Sequence, residues 1–418
     1  MSLTIVIVTH EMDTTTEAAK KIKSYEDLNI IDKNLTFQPV ASGFAFPTGM
    51  AFLGIDDILV IEKNTGNVIR IQNGTEQKEP ILHVNVANLS ERGLLGITVS
   101  PGNTLPRYVF LFYTETDKNN EEKILGNRLY RYDFIDNKLV NPKLLLDLPF
   151  LPGPSHNGGV LRLGPDNKSI YLVIGNLNFA QNRSYMTKAQ NVKDGPQPDG
   201  RGGVLRITLD GDTVGGKGIL GNQHPLDKYY AYGLRNSFGI GFDALTGNLW
   251  DTENGQSKND EINIVKPGFN SGWEVIQGLS SLDRDFNVNN LENFGGKGEY
   301  RDPEFDWLDA VAPTSVLFFN SSKLGNEYEN DLFIGSVKNS TIYHFDLTAD
   351  RTHLALDGLL ADKIADDASE LQDMIFANKL GLITDMQVGP DGNMYIVSDY
   401  KRDGTIFRIV PKANNITD

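Results

Sequence analysis

Ile383-Thr384-Asp385-Met386-Gln387-Val388-Gly389-Pro390-Asp391-Gly392, then Asn393-Met394-Tyr395-Ile396-Val397, then Gly404-Thr405-Ile406-Phe407-Arg408-Ile409, is a phrase that the chain repeats. An apolar strand, a turn of Gly with Asp or Asn, a second strand and a third that alternates apolar residues with Arg recur in order. Earlier copies begin at Pro47-Thr48-Gly49-Met50-Ala51-Phe52, Gly93-Leu94-Leu95-Gly96-Ile97, Gly158-Gly159-Val160-Leu161-Arg162-Leu163, Phe238-Gly239-Ile240-Gly241-Phe242-Asp243 and Thr314-Ser315-Val316-Leu317-Phe318-Phe319. A unit of about three or four short strands has two faces to bury and cannot bury both alone, so radial stacking around an axis is the stable arrangement. The expected fold is all-β, a six-bladed β-propeller over 37–411, with a short N-terminal extension at 1–36, long loop insertions and a C-terminal tail at 412–418. The stretch Asp362 to Lys379 carries Ile364, Ala368, Leu371 and Ile375 at helical spacing and reads as a helical decoration. Two loops, Gln181 to Arg201 and Val275 to Asp306, exceed ordinary connections and are expected to cap a binding face.

Across 418 residues, 39 Lys and Arg stand against 55 Asp and Glu, a formal charge of −16. That excess argues against a nucleic-acid or anionic-membrane partner. The chain has no Cys, which removes disulfides, thiolate metal sites and cysteine nucleophiles together, so any metal must sit on oxygen or imidazole. No run approaches the ~20 apolar residues of a membrane helix. Leu3 to Val8 is too short for a complete export signal, yet it fits the tail of a truncated one. The Asn-X-Ser/Thr pattern at Asn34, Asn73, Asn88, Asn167, Asn182, Asn320, Asn339 and Asn415 favours a place outside the membrane, at the cell surface or in a periplasm-like space.

Propellers place function where loops from several blades converge, so polar residues that open strands are the candidates. His156, in Ser155-His156-Asn157-Gly158-Gly159, is the first; a neutral imidazole can accept a proton near pH 7. Arg235, in Tyr232-Gly233-Leu234-Arg235-Asn236, is the second, a cation able to hold an anionic ligand or developing negative charge. The third is the turn Glu253 to Asn263, dense in the oxygen donors that calcium prefers but lacking the EF-hand spacing.

Taken in order, Glu91-Arg92-Gly93-Leu94-Leu95-Gly96, Ser155-His156-Asn157-Gly158-Gly159, Tyr232-Gly233-Leu234-Arg235-Asn236, Asp260-Glu261-Ile262-Asn263 with Gly268-Phe269-Asn270-Ser271-Gly272-Trp273, Ala312-Pro313-Thr314-Ser315 and Gly389-Pro390-Asp391-Gly392 resemble the soluble PQQ-dependent glucose/sorbosone (aldose sugar) dehydrogenases. The resemblance covers roughly Phe37 to Pro411. It implies a PQQ-dependent oxidoreductase that oxidises aldose sugars and passes hydride to a calcium-bound pyrroloquinoline quinone. His156 would be the base and Arg235 would stabilise charge on the reduced cofactor. Glu91, Asn236 and Lys338 match cofactor-contacting positions, and the carbonyls of Gly255 and Gln256 match calcium ligands. The implied partners are a sugar and an electron acceptor, with room for a homodimer and with neither nucleic acid nor a membrane span.

Three departures stand out. The family glutamine is Glu91 here, a pair of cofactor-binding arginines is Leu382 and Thr384, and the aspartate that orients the base is Asn176. These favour an alternative, a non-catalytic propeller of the same ancestry that binds glycans or a protein at the cell surface. A calcium-dependent lactonase or other hydrolase on a propeller also suits an oxygen-lined axis, though the phrases match the dehydrogenases better.

Overall fold

A computed structural model describes residues 25–77, 79–102 and 106–412; Leu3 to Val8 and Asn415 lie outside them. Within them the strands form six separate sheets. The innermost strands are Pro47–Gly54, Leu94–Val99, Leu161–Leu163, Ser237–Phe242, Pro313–Phe318 and Leu382–Val388. Each packs beside the next, and the last returns to the first. The architecture is an all-β propeller, with each repeated phrase at the inner edge of its own sheet. The expectation of three or four strands per unit falls short, since the sheets hold four to six. The extra strands include two-residue pieces, such as Phe269–Asn270 and Glu299–Tyr300 on the third sheet.

The cores lie between sheets. Leu59, Ile61 and Val68 of the first sheet meet Leu94, Ile97, Val109 and Leu111 of the second. Phe110, Phe112 and Leu129 of the second meet Ile170, Leu172 and Leu205 of the third. A middle strand is therefore covered on both faces, which is why Ser169–Ile174 is buried throughout and reads as a continuous apolar run.

The ring closes with a strand from the other end of the chain. Leu35–Phe44 pairs antiparallel with Asp403–Pro411, from Leu35 opposite Pro411 to Phe44 opposite Gly404. Asn29–Ile30 adds to the fifth sheet beside Ile375–Asn378.

The helix expected between Asp362 and Lys379 does not form; among the described residues the only helices are short 3-10 turns. The segment holds the pair Ile364–Ala365, a turn at Gln372–Met374 and the strand Ile375–Asn378. Lys363 in the left-handed region (φ 69) breaks the helical path, and Asp367 turns its carboxylate onto the N–H and hydroxyl of Ser369. The apolar spacing is still used, since Ala365 and Leu371 pack into the core between the fourth and fifth sheets. The two long loops pack on each other: the backbone N–H of Glu292 donates to Asn191 Oδ1 at 3.1 Å, and the Glu292 carboxylate pairs with Lys188 at 3.8 Å. No helix of the described residues is long and apolar enough to cross a membrane.

Phe407 is fully buried on the closing sheet, with Tyr25, Phe37 and Tyr400 against its ring. Phe407→Ala is expected to lower the unfolding free energy by about 3–5 kcal/mol, read by urea denaturation.

Candidate active site

At one mouth of the ring a cavity of about 380 Å³ collects one polar or glycine position from each unit: Thr48, Glu91, Gly158, Asn236, Thr314 and Thr384. The rest of its wall is largely apolar, with Phe46, Leu95, Val160, Phe238, Val337 and Leu382. Convergence follows from the topology, because each innermost strand starts at this mouth and the residues that open it face the axis.

Glu91 links the wall to the groups behind it. Its Oε2 accepts from the backbone N–H of His156 at 2.5 Å and of Asn157 at 3.3 Å, and burial pushes its carboxyl above the usual range. His156 itself is 2% exposed and sits in the left-handed region (φ 64). Its Nδ1 lies 2.7 Å from Asn176 Oδ1, and that same oxygen accepts from the backbone N–H of Asn178 at 2.9 Å. An oxygen already accepting a backbone N–H can only accept from the ring, so Nδ1 carries the proton and Nε2 keeps its lone pair. Burial, helped by the nearby charge of Arg235 and opposed by Asn176, lowers the His156 pKa to about 4. The imidazole is neutral at pH 7 and remains a proton acceptor.

Arg235 is buried with its guanidinium 5.4 Å from the centre of the Trp273 ring. Its Nη1 donates to the carbonyls of Asn254 at 2.8 Å and Gly255 at 2.7 Å, while Nε has no partner among the described residues. Beneath it lies a ladder of acids on the fourth sheet, with Asp251 opposite Asn263 and Glu253 opposite Glu261. Glu253 accepts the Arg235 backbone N–H on Oε1 and the Ser271 hydroxyl, at 2.7 Å, on Oε2. Burial pushes the Asp251 and Glu253 carboxyls up to about 8 and Glu261 upward as well. The fold meets the cost of burying these acids by holding them protonated.

The model of the family described as Glucose / Sorbosone dehydrogenase matches residues 44–408. The chain belongs to the glucose/sorbosone dehydrogenase family. It is 24% identical over 372 residues to the aldose sugar dehydrogenase YliI of Escherichia coli, covering 88% of this chain and 90% of that protein. It is 27% identical over 266 residues to quinoprotein glucose dehydrogenase B of Acinetobacter calcoaceticus, covering 59% and 54%. The PQQ-bound structure of the aldose sugar dehydrogenase from Streptomyces coelicolor matches with a TM-score of 0.64 at 22% identity, over 90% of this chain and 98% of that one.

Within this member of the glucose/sorbosone dehydrogenase family, His156, Arg235, Glu91 and Asn236 gather at one side of the cavity; Glu91 and Asn236 line it, and His156 and Arg235 stand behind them. Lys338 is exposed, one residue beyond the lining Val337, and its charge acts on Asp260. Gly255 offers its carbonyl to Arg235, and Gln256 is exposed with its N–H on Gln277. The departures Leu382 and Thr384 are part of the wall. Sequence reasoning missed Lys63, which lines the cavity directly after the apolar strand Asp57–Glu62. Asp331, His344 and Asp346 also bring ligand atoms within 4.8 Å of one another, but at the end of the fifth sheet away from the cavity.

Arg235→Met removes a repelling cation from His156, and Asn176→Asp places a carboxylate on its Nδ1. Each is expected to raise the His156 pKa from about 4, by about one unit or more, in an NMR titration of the ring.

Proposed function

We propose that the chain oxidises a hydroxyl of an aldose sugar with pyrroloquinoline quinone as its cofactor and His156 as the base. The observation that carries this reading is the hydrogen bonding of His156, which leaves Nε2 a neutral lone pair on a residue whose backbone N–H is held by Glu91 of the wall of a cavity of about 380 Å³. The match to the dehydrogenase family and the PQQ-bound relative support it. We read the six sheets as six blades, with 37–411 as the propeller.

The residues present fit the quinone end of the cofactor. Arg235 Nε is a buried donor without a partner among the described residues, as expected of a group arranged for an oxygen-bearing ligand, and Asn236 Oδ1 is a buried acceptor likewise without one. Arg235 and Asn236 would hold it, Glu91 would border it and Lys338 would approach from the rim. When bound, the cofactor supplies a two-electron acceptor. His156 takes the hydroxyl proton on Nε2 as the carbon gives up hydride, and Asn176 keeps the ring from turning. Arg235 would supply positive charge to the bound acceptor. Calcium at Gly255 and Gln256 does not fit alongside Arg235 as it stands, since the guanidinium already holds the Gly255 carbonyl.

Turnover needs an electron acceptor to reoxidise the cofactor, and the same reading allows a homodimer in a compartment outside the membrane. The seven described asparagines of the Asn-X-Ser/Thr pattern, Asn34 to Asn339, are all exposed, which supports that location.

With pyrroloquinoline quinone added, the chain is expected to reduce a dye acceptor when given aldoses, and His156→Ala is expected to lower that rate by at least about 10²-fold. An absence of sugar-dependent dye reduction at saturating cofactor, with and without calcium, would overturn the proposal.

A further inference from the structure

We propose that Lys63 seats a carboxylate of the cofactor, supplying the positive charge that Leu382 and Thr384 lack on the same cavity wall; this rests on the cofactor reading above. Lys63 is the one cation among the described residues lining the cavity. Arg235 is assigned above to the quinone end, and it stands behind the wall with its Nη1 on two backbone carbonyls.

The side chain is held in place. It is 8% exposed, and its ammonium lies 5.6 Å from the centre of the Phe46 ring. Its stem crosses Gly93, where a Cβ would meet Lys63 Cγ at 2.5 Å and the Lys63 carbonyl oxygen at 2.4 Å. Gly93 also adopts φ +152, so a glycine at this point both turns the chain and makes room for the lysine. Among the described residues the ammonium has only neutral partners, Asn64 Oδ1 at 3.1 Å and, at 3.5 Å, the Asn88 carbonyl. No carboxylate of the described residues pairs with it. Glu91 acts on it through space, and burial lowers its pKa. A desolvated cation with neutral partners and a spare N–H gains most from an anion brought into the cavity.

The test uses the full chain and two quinones, followed by tryptophan fluorescence: pyrroloquinoline quinone, which carries carboxylates, and phenanthrenequinone, which carries none. Lys63→Met is expected to weaken the first by about tenfold or more, the loss of roughly one charge-assisted hydrogen bond. It should leave the second unchanged, and Lys63→Arg should retain binding of both. If Lys63→Met does not fold, as judged by its melting curve, Lys63→Gln takes its place. Wild-type binding of pyrroloquinoline quinone with no loss in the variant, or equal loss of both quinones, would overturn the role of Lys63 alone. A wild-type chain that binds neither quinone would overturn the proposed function and this inference together.

Discussion

Pairing of Leu35–Phe44 with Asp403–Pro411 is the contact on which the remaining architecture depends. Each sheet is apolar on both faces, and only a closed ring gives every face a neighbour. Opening the ring would expose the first and sixth sheets, where Met50, Val60 and Ile69 meet Tyr395, Val397 and Ile406. It would also disperse the cavity, whose lining draws on every unit. The cavity is thus a property of closure and belongs to no single sheet.

Charge around the cavity is arranged by burial more than by ion pairing. Arg235 donates to neutral carbonyls, Lys63 to an amide and a carbonyl, and the acids of the fourth sheet are held protonated. Few of these groups have spent their charge on each other. A site built this way keeps its cations available for a ligand, at the expense of the stability that direct pairing would contribute.

The propeller was legible because the strand phrase is local and repeats, so one copy explains the others. The place of His156 next to the cavity wall was legible because it precedes a strand beside two glycines. Lys63 was not, because it ends a strand, and a rule that looks only at residues opening strands passes over it. The turn of Arg235 toward Asn254 and Gly255 was hidden as well, since it joins residues about 20 apart through side-chain geometry that no spacing encodes. The stretch Asp362 to Lys379 misled in a different way. Its apolar residues are buried as their pattern implies, but Lys363 and Asp367 impose local turns that defeat a helix.

The protonated acids on the fourth sheet make the native protein a store of protons. Asp251 and Glu253 hold theirs up to about pH 8, whereas an unfolded chain releases them near the ordinary values of 3.8 and 4.5. Between those limits the native state binds more protons than the unfolded one, so these two groups make the fold progressively less stable as pH rises. His156 works in the opposite sense on the acid side, because it stays neutral in the native state down to about pH 4 while the unfolded imidazole takes up a proton below 6.5. Denaturation in weakly acidic to neutral solution therefore sheds acid into the medium, and the heat measured for it varies with the ionisation enthalpy of the buffer.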